Sequence, residues 1–123
     1  MKIKVNEATK IQIDWLVAKC EGWEYDDVAN AARDDRTKKY STKWAQGGPI
    51  IEREGITTAP FYREWVAAPS VSELITDQDG DRMTVVMWDS EPHSYGPTPL
   101  VAAMRCYVSS KLGEEVEVSD ELV

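Results

Sequence analysis

The sequence predicts an α+β fold, a small single domain in which a mostly antiparallel sheet with a hairpin is packed by two main helices. Its 123 residues, 42% of them hydrophobic, fit one domain with a single core better than two. Residues 10–21 and 98–112 combine apolar stripes with helix-capping signals. The dipeptide Asp79-Gly80, which is typical of tight hairpin turns, stands between two strand-like runs.

The chain opens with a strand and the first of these helices. In residues 1–5 apolar side chains alternate with lysines at a period of two, which predicts a strand. Thr9 and Gln12 have the spacing of a capping box, in which each side chain bonds to the backbone N–H of the other residue. A helix is therefore expected over residues 10–21, and Gly22 supplies its left-handed stop.

The next segment, residues 23–39, carries many charges and no periodicity. We interpret it as an exposed polar loop or as a lid over a binding site, because aperiodic segments of this length are uncommon in small domains unless they are mobile or functional. After it, Pro49 at a first helical position and Gly55 behind the last one predict a short helix of about two turns. Strand-like runs follow at residues 56–58 and 65–67.

The remaining elements are the hairpin, the last helix and the C-terminus. The run 83–88 is apolar on both faces, so it is expected to be a central strand, joined to the run 71–76 by the hairpin turn. Thr98 caps the last helix, with Pro99 at its first position. Residues 114–123 form an acidic C-terminal strand or tail. The sheet is therefore expected from strands near residues 1–5, 65–76 and 83–88.

The charge balance and the apolar pattern exclude some classes of function. Fourteen Lys and Arg against 22 Asp and Glu give a net charge of −8, which repels the phosphate backbones of duplex nucleic acids. The chain contains no run of 18 apolar residues, and its N-terminus lacks the apolar core of a signal peptide. We therefore expect a soluble, cytosolic protein that binds neither duplex nucleic acid nor membrane.

Residues suited to catalysis or metal binding are sparse. The single histidine, His93, stands in a loop without a nucleophile motif, so a solvated loop histidine is preferred to a catalytic one. Residues 77–81 lack the spacing of a calcium loop and fit a hairpin turn. Cys20 and Cys106 lack metal-ligand spacing and are expected as buried free thiols. We expect no enzyme activity, no metal and no cofactor.

Two glycine-containing segments are suited to binding an anion. Each precedes a predicted helix start, where backbone N–H groups and the helix dipole favour negative charge. An arginine lies further along each helix, and two aromatic side chains before the first start can stack on a base. The alternative is two ordinary capped helices with tryptophans in the core. The segments are Gln46-Gly47-Gly48-Pro49 and Gly96-Pro97-Thr98-Pro99, and the predicted ligand-binding residues are Tyr40, Trp44, Gln46, Gly47, Gly48, Arg53, Thr98 and Arg105.

Five blocks of the chain carry a resemblance to a known family. They are residues 2–9, 14–22, 40–42, 44–54 and 96–108, which make up about a third of the chain. Together they resemble the phage NinX-like family, small accessory proteins of tailed phages and their prophages with no recorded function. The resemblance implies a phage origin and the cytoplasm of a bacterial host as the working compartment, and it implies no reaction.

The resemblance also bears on what the predicted site does. Phage accessory genes often encode counter-defence factors, and some of these capture a nucleotide-derived immune signal without cutting it. We therefore expect a non-enzymatic counter-defence protein, a sponge that sequesters a small phosphorylated ligand such as a cyclic ADP-ribose-like or cyclic dinucleotide signal. Because ten of the eleven aromatic residues are Trp or Tyr, we also expect a homo-oligomer.

Two other functions remain open. The first is an acidic protein–protein interaction module that inhibits a host or phage protein by docking on a basic face, with steep dependence on salt. The second is a weak nucleotide hydrolase that uses Glu52 or Glu54 as a base with a metal. A bound small molecule, a co-purifying protein and turnover of a nucleotide distinguish the three.

Overall fold

A computed structural model describes residues 1–22, 39–69, 72–76, 78–80, 82–86 and 93–122. The loop or lid expected over 23–39 lies outside these residues, except for Lys39. The described elements, in chain order, are β1 (Lys2–Lys4), a 3₁₀ helix (Val5–Glu7), α1 (Lys10–Cys20), α2 (Trp44–Glu54), β2 (Thr57–Phe61), β3 (Glu64–Ala68), β4 (Ser72–Thr76), β5 (Arg82–Val86), β6 (Ser94–Gly96), α3 (Pro99–Leu112), β7 (Glu115–Glu117) and a second 3₁₀ helix (Asp120–Leu122).

Helix α3 forms the centre of the fold. From Leu100 to Met104 and again from Cys106 to Val108, no side chain is more than 3% exposed. A helix that is apolar on all its faces must be surrounded by other elements, and α1, α2, β3 and β6 all contact α3. The fully buried Trp15 and Leu16 of α1 belong to the same core.

The structure confirms both main helices together with their caps. The Thr9 hydroxyl accepts the Gln12 N–H at 3.3 Å, and the Gln12 side chain accepts the Thr9 N–H at 2.9 Å, so the capping box is complete. The Thr98 hydroxyl accepts the Val101 N–H at 3.1 Å, and Pro99 occupies the first helical position. The capping signals of the sequence therefore locate both helix starts correctly.

The described strands form three separate antiparallel groups, β1–β7, β2–β3–β6 and β4–β5. With three helices these groups make the α+β class that the sequence predicts. The strand-like runs expected at 65–67 and 71–76 are observed as β3 and β4, but these strands belong to different groups, so the described strands do not form the single sheet that was expected. Pro69 follows β3 directly, and proline has no N–H with which to continue a strand ladder.

The hairpin predicted around Asp79-Gly80 is confirmed. Strands β4 and β5 pair antiparallel on either side of it, and Gly80 adopts the left-handed φ of +86° that such turns require. Among the described strands β5 pairs only with β4, so the structure shows one neighbour for the run 83–88 and not the two of the expected central strand. A continuous apolar run identifies a strand but does not say how many neighbours it has.

Among the described strands β2 lies at the edge of its group, which explains why it can contain a proline. The two-residue turn of Tyr62 and Arg63 makes Phe61 and Glu64 a hydrogen-bonded pair across β2 and β3. The backbone nitrogen of Pro60, one residue earlier, therefore faces away from β3, where its missing N–H costs no ladder bond. At the turn Tyr62 is 94% exposed and has a φ of 56°, an uncommon value for a residue other than glycine.

The predicted start of the second helix is wrong. Helix α2 begins at Trp44, five residues before Pro49, so the proline lies inside the helix and not at its first position. Proline there removes the N–H that the carbonyl of Ala45 would accept. The helix persists because its inner face is fixed in the core, where Ile50 is only 2% exposed. Burial of this face thus outweighs the local destabilisation that a proline inside a helix causes.

The acidic C-terminal segment forms a strand where it meets the N-terminus. Strand β7 pairs antiparallel with β1, with Ile3 opposite Val116. Lys2 lies 3.2 Å from Glu115, and the N-terminal ammonium lies 3.2 Å from Asp120. Of the two alternatives that the sequence left open for 114–123, the strand is observed at residues 115–117.

Candidate functional site

A groove lies between the C-terminal end of α1 and the flank of α2; we call it the α1–α2 groove. It has a volume of about 380 Å³. Three of the eight predicted ligand-binding residues, Tyr40, Gln46 and Arg53, meet in its wall. The full lining is Glu21, Tyr40, Ala45, Gln46, Pro49, Ile50 and Arg53.

The turn that leads into α2 is fixed to α1 by a buried carboxylate. Asp14, only 6% exposed, accepts the backbone N–H of Ser41 at 2.8 Å. The side-chain oxygen of Gln46 accepts the backbone N–H of Lys39 from the other side of the turn. These two bonds hold Tyr40, which is 4% exposed and lies in the core. Its ring therefore forms part of the groove wall and does not present an open stacking face.

Asp14→Asn tests this anchor, because asparagine keeps an oxygen acceptor without the charge. Burial raises the pKa of Asp14, although its hydrogen bonds with Ser41 act in the opposite direction. Between pH 3.8, the unfolded value, and the higher native pKa, the folded protein holds more protons than the unfolded chain, so the Asp14 contribution to stability falls as pH rises. We expect the free energy of unfolding of the variant minus that of wild type to rise as pH increases through this window. Urea titrations measure this difference. A difference independent of pH would contradict the raised pKa.

Arg53 occupies the far end of the groove and is bound to a carboxylate of α1. Its Nη1 and Nη2 atoms each lie 3.0 Å from one oxygen of Glu21, in the bidentate arrangement favoured by guanidinium and carboxylate. The Tyr107 hydroxyl donates to Glu21 Oε2 at 2.9 Å, and the guanidinium lies 5.7 Å from the Tyr107 ring centroid. These contacts join α1, α2 and α3 at one point.

The charges of this cluster are well defined near neutral pH. The hydrogen bonds from Arg53 hold the pKa of Glu21 below its usual value, so this carboxylate is ionised. Burial, helped by the hydrogen bond to Glu21, raises the pKa of Tyr107, so the phenol keeps its proton and donates it. Glu54 also lies close to the guanidinium, 3.8 Å from Nε, and contacts Lys111 at 3.3 Å.

The anion-binding role expected of the first glycine segment does not fit the geometry. Gly47 and Gly48 lie inside α2, and the Gly47 N–H bonds to the Lys43 carbonyl at 3.0 Å. A Cβ atom on Gly47 would lie 2.3 Å from the Tyr40 carbonyl oxygen and 2.6 Å from a methyl group of Leu100. Gly47 is therefore required for close packing of α2 against its neighbours. A glycine in the sequence does not show whether it serves close packing or ligand binding.

The second glycine segment is likewise used for packing. A Cβ atom on Gly96 would lie 2.8 Å from the Ala102 backbone nitrogen, so glycine lets β6 lie directly against the first turn of α3. The Val101 N–H bonds to the Thr98 hydroxyl and the Ala102 N–H to the Thr98 carbonyl, while Pro99 has no N–H. This helix start offers few donors to an anion, and Thr98 acts as its cap.

Arg105 is committed to the fold. Its guanidinium donates to the Tyr95 carbonyl at 2.6 Å and to the Ala8 carbonyl at 2.8 Å, which ties β6 and the end of the first 3₁₀ helix to α3. Burial lowers the pKa of Arg105, although the side chain stays charged. The groove is lined by Arg53 and not by Arg105.

Trp44 is the remaining predicted residue, and it lies on the surface beside the groove. Its side chain is 57% exposed, and a Cβ atom on Gly48 would meet the indole ring at 3.7 Å, an ordinary contact distance. Trp44 thus offers an open aromatic face, although it is not part of the groove lining.

A second cavity of about 250 Å³ lies beside α3 and is lined by His93 and by Ser94 of β6. Asn6, Cys106 and Glu114 also line it. Both cysteines are free, as the sequence predicts. Burial raises the pKa of Cys106 to about 12 and that of Cys20 to about 11, so both thiols are protonated near neutral pH.

Sequence reasoning missed Glu21 and Tyr107, which define the chemistry around Arg53. Glu21 is the C-terminal capping residue of α1, and Tyr107 belongs to the apolar face of α3. Their contacts with Arg53 span 32 and 54 residues of sequence. No local spacing links such distant positions, so only the packing of three helices brings them together.

Two searches of the described residues were negative. No helix there combines the length and the apolar character needed to cross a bilayer. In the same part of the chain, no group of three or more His, Cys, Asp and Glu side chains is arranged to hold a metal ion.

Comparison with known proteins identifies the family. The family model described as "Bacteriophage P22, NinX" matches residues 4–111, which include α1, α2, all of α3 except its last residue, and the whole lining of the α1–α2 groove. A search of curated proteins gave no match. Because the family model covers well over half of the sequence, the chain belongs to the NinX family of bacteriophage proteins.

Proposed function

We propose that this phage accessory protein binds a small phosphorylated ligand in the α1–α2 groove and releases it chemically unchanged. The observation that carries the proposal is the meeting of Tyr40, Gln46 and Arg53 in one groove, although they are up to 13 residues apart in sequence. A nucleotide-derived immune signal, such as a cyclic ADP-ribose-like or cyclic dinucleotide molecule, is the proposed ligand. The protein would then act in the cytoplasm of the bacterial host as a counter-defence sponge.

The groove offers groups that complement different parts of such a ligand. The Arg53 side chain is 51% exposed, and its planar fork, which Glu21 occupies in the structure, is suited to the two free oxygens of a phosphate group. Gln46 accepts a hydrogen bond with its side-chain oxygen within the protein, and its amide nitrogen is the donor that we propose for the ligand. The carbonyl of Ala45 lacks its usual helical donor because of Pro49, so it can accept from the amino group of a base.

The size of the groove supports a ligand of about one nucleotide unit. Its volume of about 380 Å³ falls at the lower end of the range typical of small-molecule sites. A larger signal would need additional surface, and the exposed indole of Trp44 lies beside the groove to supply it. In a homo-oligomer, which we also propose, a second copy supplies further contacts. The exposed aromatic side chains Trp44, Phe61 and Tyr62 support such an assembly.

Arg53→Ala tests the proposed site. Loss of a charge-assisted bidentate contact is expected to remove about 1.5 to 3 kcal/mol, so affinity should fall by a factor of about ten or more. Isothermal titration calorimetry with a panel of cyclic dinucleotides and ADP-ribose derivatives measures this change. Arg63→Ala is the matched control, because Arg63 is exposed at the β2–β3 turn and is absent from the groove lining. Equal affinity in the Arg53 and Arg63 variants would exclude the groove as the binding site.

A protein partner is the second candidate, and the β2–β3 turn favours it. Tyr62 is 94% exposed beside Phe61, which is 47% exposed, and the two rings contact each other at 4.8 Å between centroids. Exposed aromatic pairs of this kind are enriched at protein interfaces. This function predicts a partner that co-purifies at low salt, is lost in Tyr62→Ala and is retained in Arg53→Ala. The ligand-binding function predicts that a bound small molecule is retained in Tyr62→Ala and lost in Arg53→Ala.

A further inference from the structure

The cluster around Arg53 has the form of an anion site that is already filled. Two parallel bonds of 3.0 Å join the guanidinium to the two oxygens of Glu21, and the Tyr107 hydroxyl adds a third donor at 2.9 Å. Three donors that converge on one two-oxygen acid group are the arrangement by which proteins recognise phosphate or carboxylate. Here the recognised group belongs to the protein itself.

The exposure of Arg53 and Glu21 allows the acid group of a ligand to replace the Glu21 carboxylate. The Arg53 side chain is 51% exposed, whereas that of Glu21 is 20% exposed, so a ligand can reach the guanidinium from the groove. Glu21 caps the end of α1 and is followed by Gly22, which has a φ of +95°. The Glu21 side chain can rotate away about its own χ angles, which leaves its backbone N–H bonded to the carbonyls of Val17 and Ala18.

We propose that Glu21 is an internal competitor and that the acid group of the ligand replaces it on Arg53 and Tyr107. This inference rests on the proposed function and specifies it, because it requires an acid group with two free oxygens on one phosphorus atom. A phosphodiester or a pyrophosphate meets that requirement. The ligand binds only to the fraction of molecules in which Glu21 has turned away.

Positive charges near Arg53 favour binding of the ligand's acid group once the Glu21 side chain has turned away. Lys111 lies 5.9 Å from the Tyr107 ring centroid and, together with Arg53, gives two positive charges near the vacated position. Glu54 neutralises part of this charge, since it lies 3.3 Å from Lys111. The wild-type affinity is therefore limited by competition between two anions, and removal of the internal one should raise it.

Glu21→Gln tests the proposal, because glutamine keeps the shape and one oxygen acceptor but loses the negative charge. We expect its affinity for inorganic pyrophosphate, measured by calorimetry at fixed pH and ionic strength, to exceed that of wild type by about tenfold. Glu7→Gln changes the net charge equally at an exposed position outside the groove and should match wild type. The double variant Glu21→Gln, Arg53→Ala should lose the gain.

The outcomes separate this inference from the proposed function. If Glu21→Gln, shown by its thermal midpoint to be folded, binds pyrophosphate no tighter than Glu7→Gln, then Glu21 is not a competitor and the inference is overturned. Wild-type capture of a nucleotide would leave the proposed function standing in that case. If Glu21→Gln gains pyrophosphate binding while no nucleotide of the panel binds, then the inference holds and the proposed function fails.

Discussion

Gly47→Ala should destabilise the protein by about 3 kcal/mol, or prevent folding altogether, because it forces atoms into occupied space. The added Cβ would lie 2.3 Å from the Tyr40 carbonyl oxygen and 2.6 Å from Leu100 Cδ1. One of these neighbours is backbone and cannot rotate aside, so α2 must shift away from the turn and from α3. Chemical denaturation of the purified variant measures the loss.

Gly48→Ala is the matched control on the same helix. The added Cβ meets only Trp44, at an ordinary 3.7 Å, and alanine favours helix more than glycine does. The following Pro49 opposes this gain by restricting the residue before it. We therefore expect a change within about 1 kcal/mol of wild type. Equal stability of the Gly47 and Gly48 variants would contradict the close packing of α2.

Arg105→Ala should lower the free energy of unfolding by about 3 kcal/mol without acting on ligand binding directly. The substitution leaves the carbonyls of Tyr95 and Ala8 without the guanidinium donors that they bond at 2.6 and 2.8 Å. Both carbonyls belong to segments that α3 holds in place. Thermal denaturation measures the loss, and calorimetry below the melting temperature measures the binding.

A control variant makes the Arg105 result specific. Arg63→Ala removes an arginine that is exposed and should change stability by no more than about 0.5 kcal/mol. If Arg105→Ala is as stable as wild type and its ligand affinity is reduced about tenfold, the structural role of Arg105 is contradicted. Arg105 would then belong to the binding site that the sequence predicts.

The features of the fold that depend on neighbouring residues could be predicted from the sequence. The Thr9 and Thr98 caps and the Asp79-Gly80 turn depend on residues only a few positions apart, and all three were correctly placed. The arrangement of the strands depends on contacts between distant segments. The placement of the runs 65–67 and 71–76 in different groups was therefore missed.

The candidate site was predicted only in part, for a related physical reason. Glycine before a helix is typical both of anion binding and of close packing, and the sequence does not show which atoms approach it. The structure places Leu100 and the Tyr40 carbonyl against Gly47, which decides for packing. Arg53 lies on the same helix as this segment, as the sequence predicts. Its partner Glu21 was not predicted, because 32 residues separate the two.

Native mass spectrometry of the purified protein tests the central claim most directly. The protein is incubated with cyclic dinucleotides and ADP-ribose derivatives, the bound species is released by heat, and its mass is compared with that of the ligand supplied. We predict a stoichiometric complex, an oligomeric protein mass and release of an unchanged ligand. Failure to form a complex with any member of the panel, or release of a chemically altered ligand, would contradict the account.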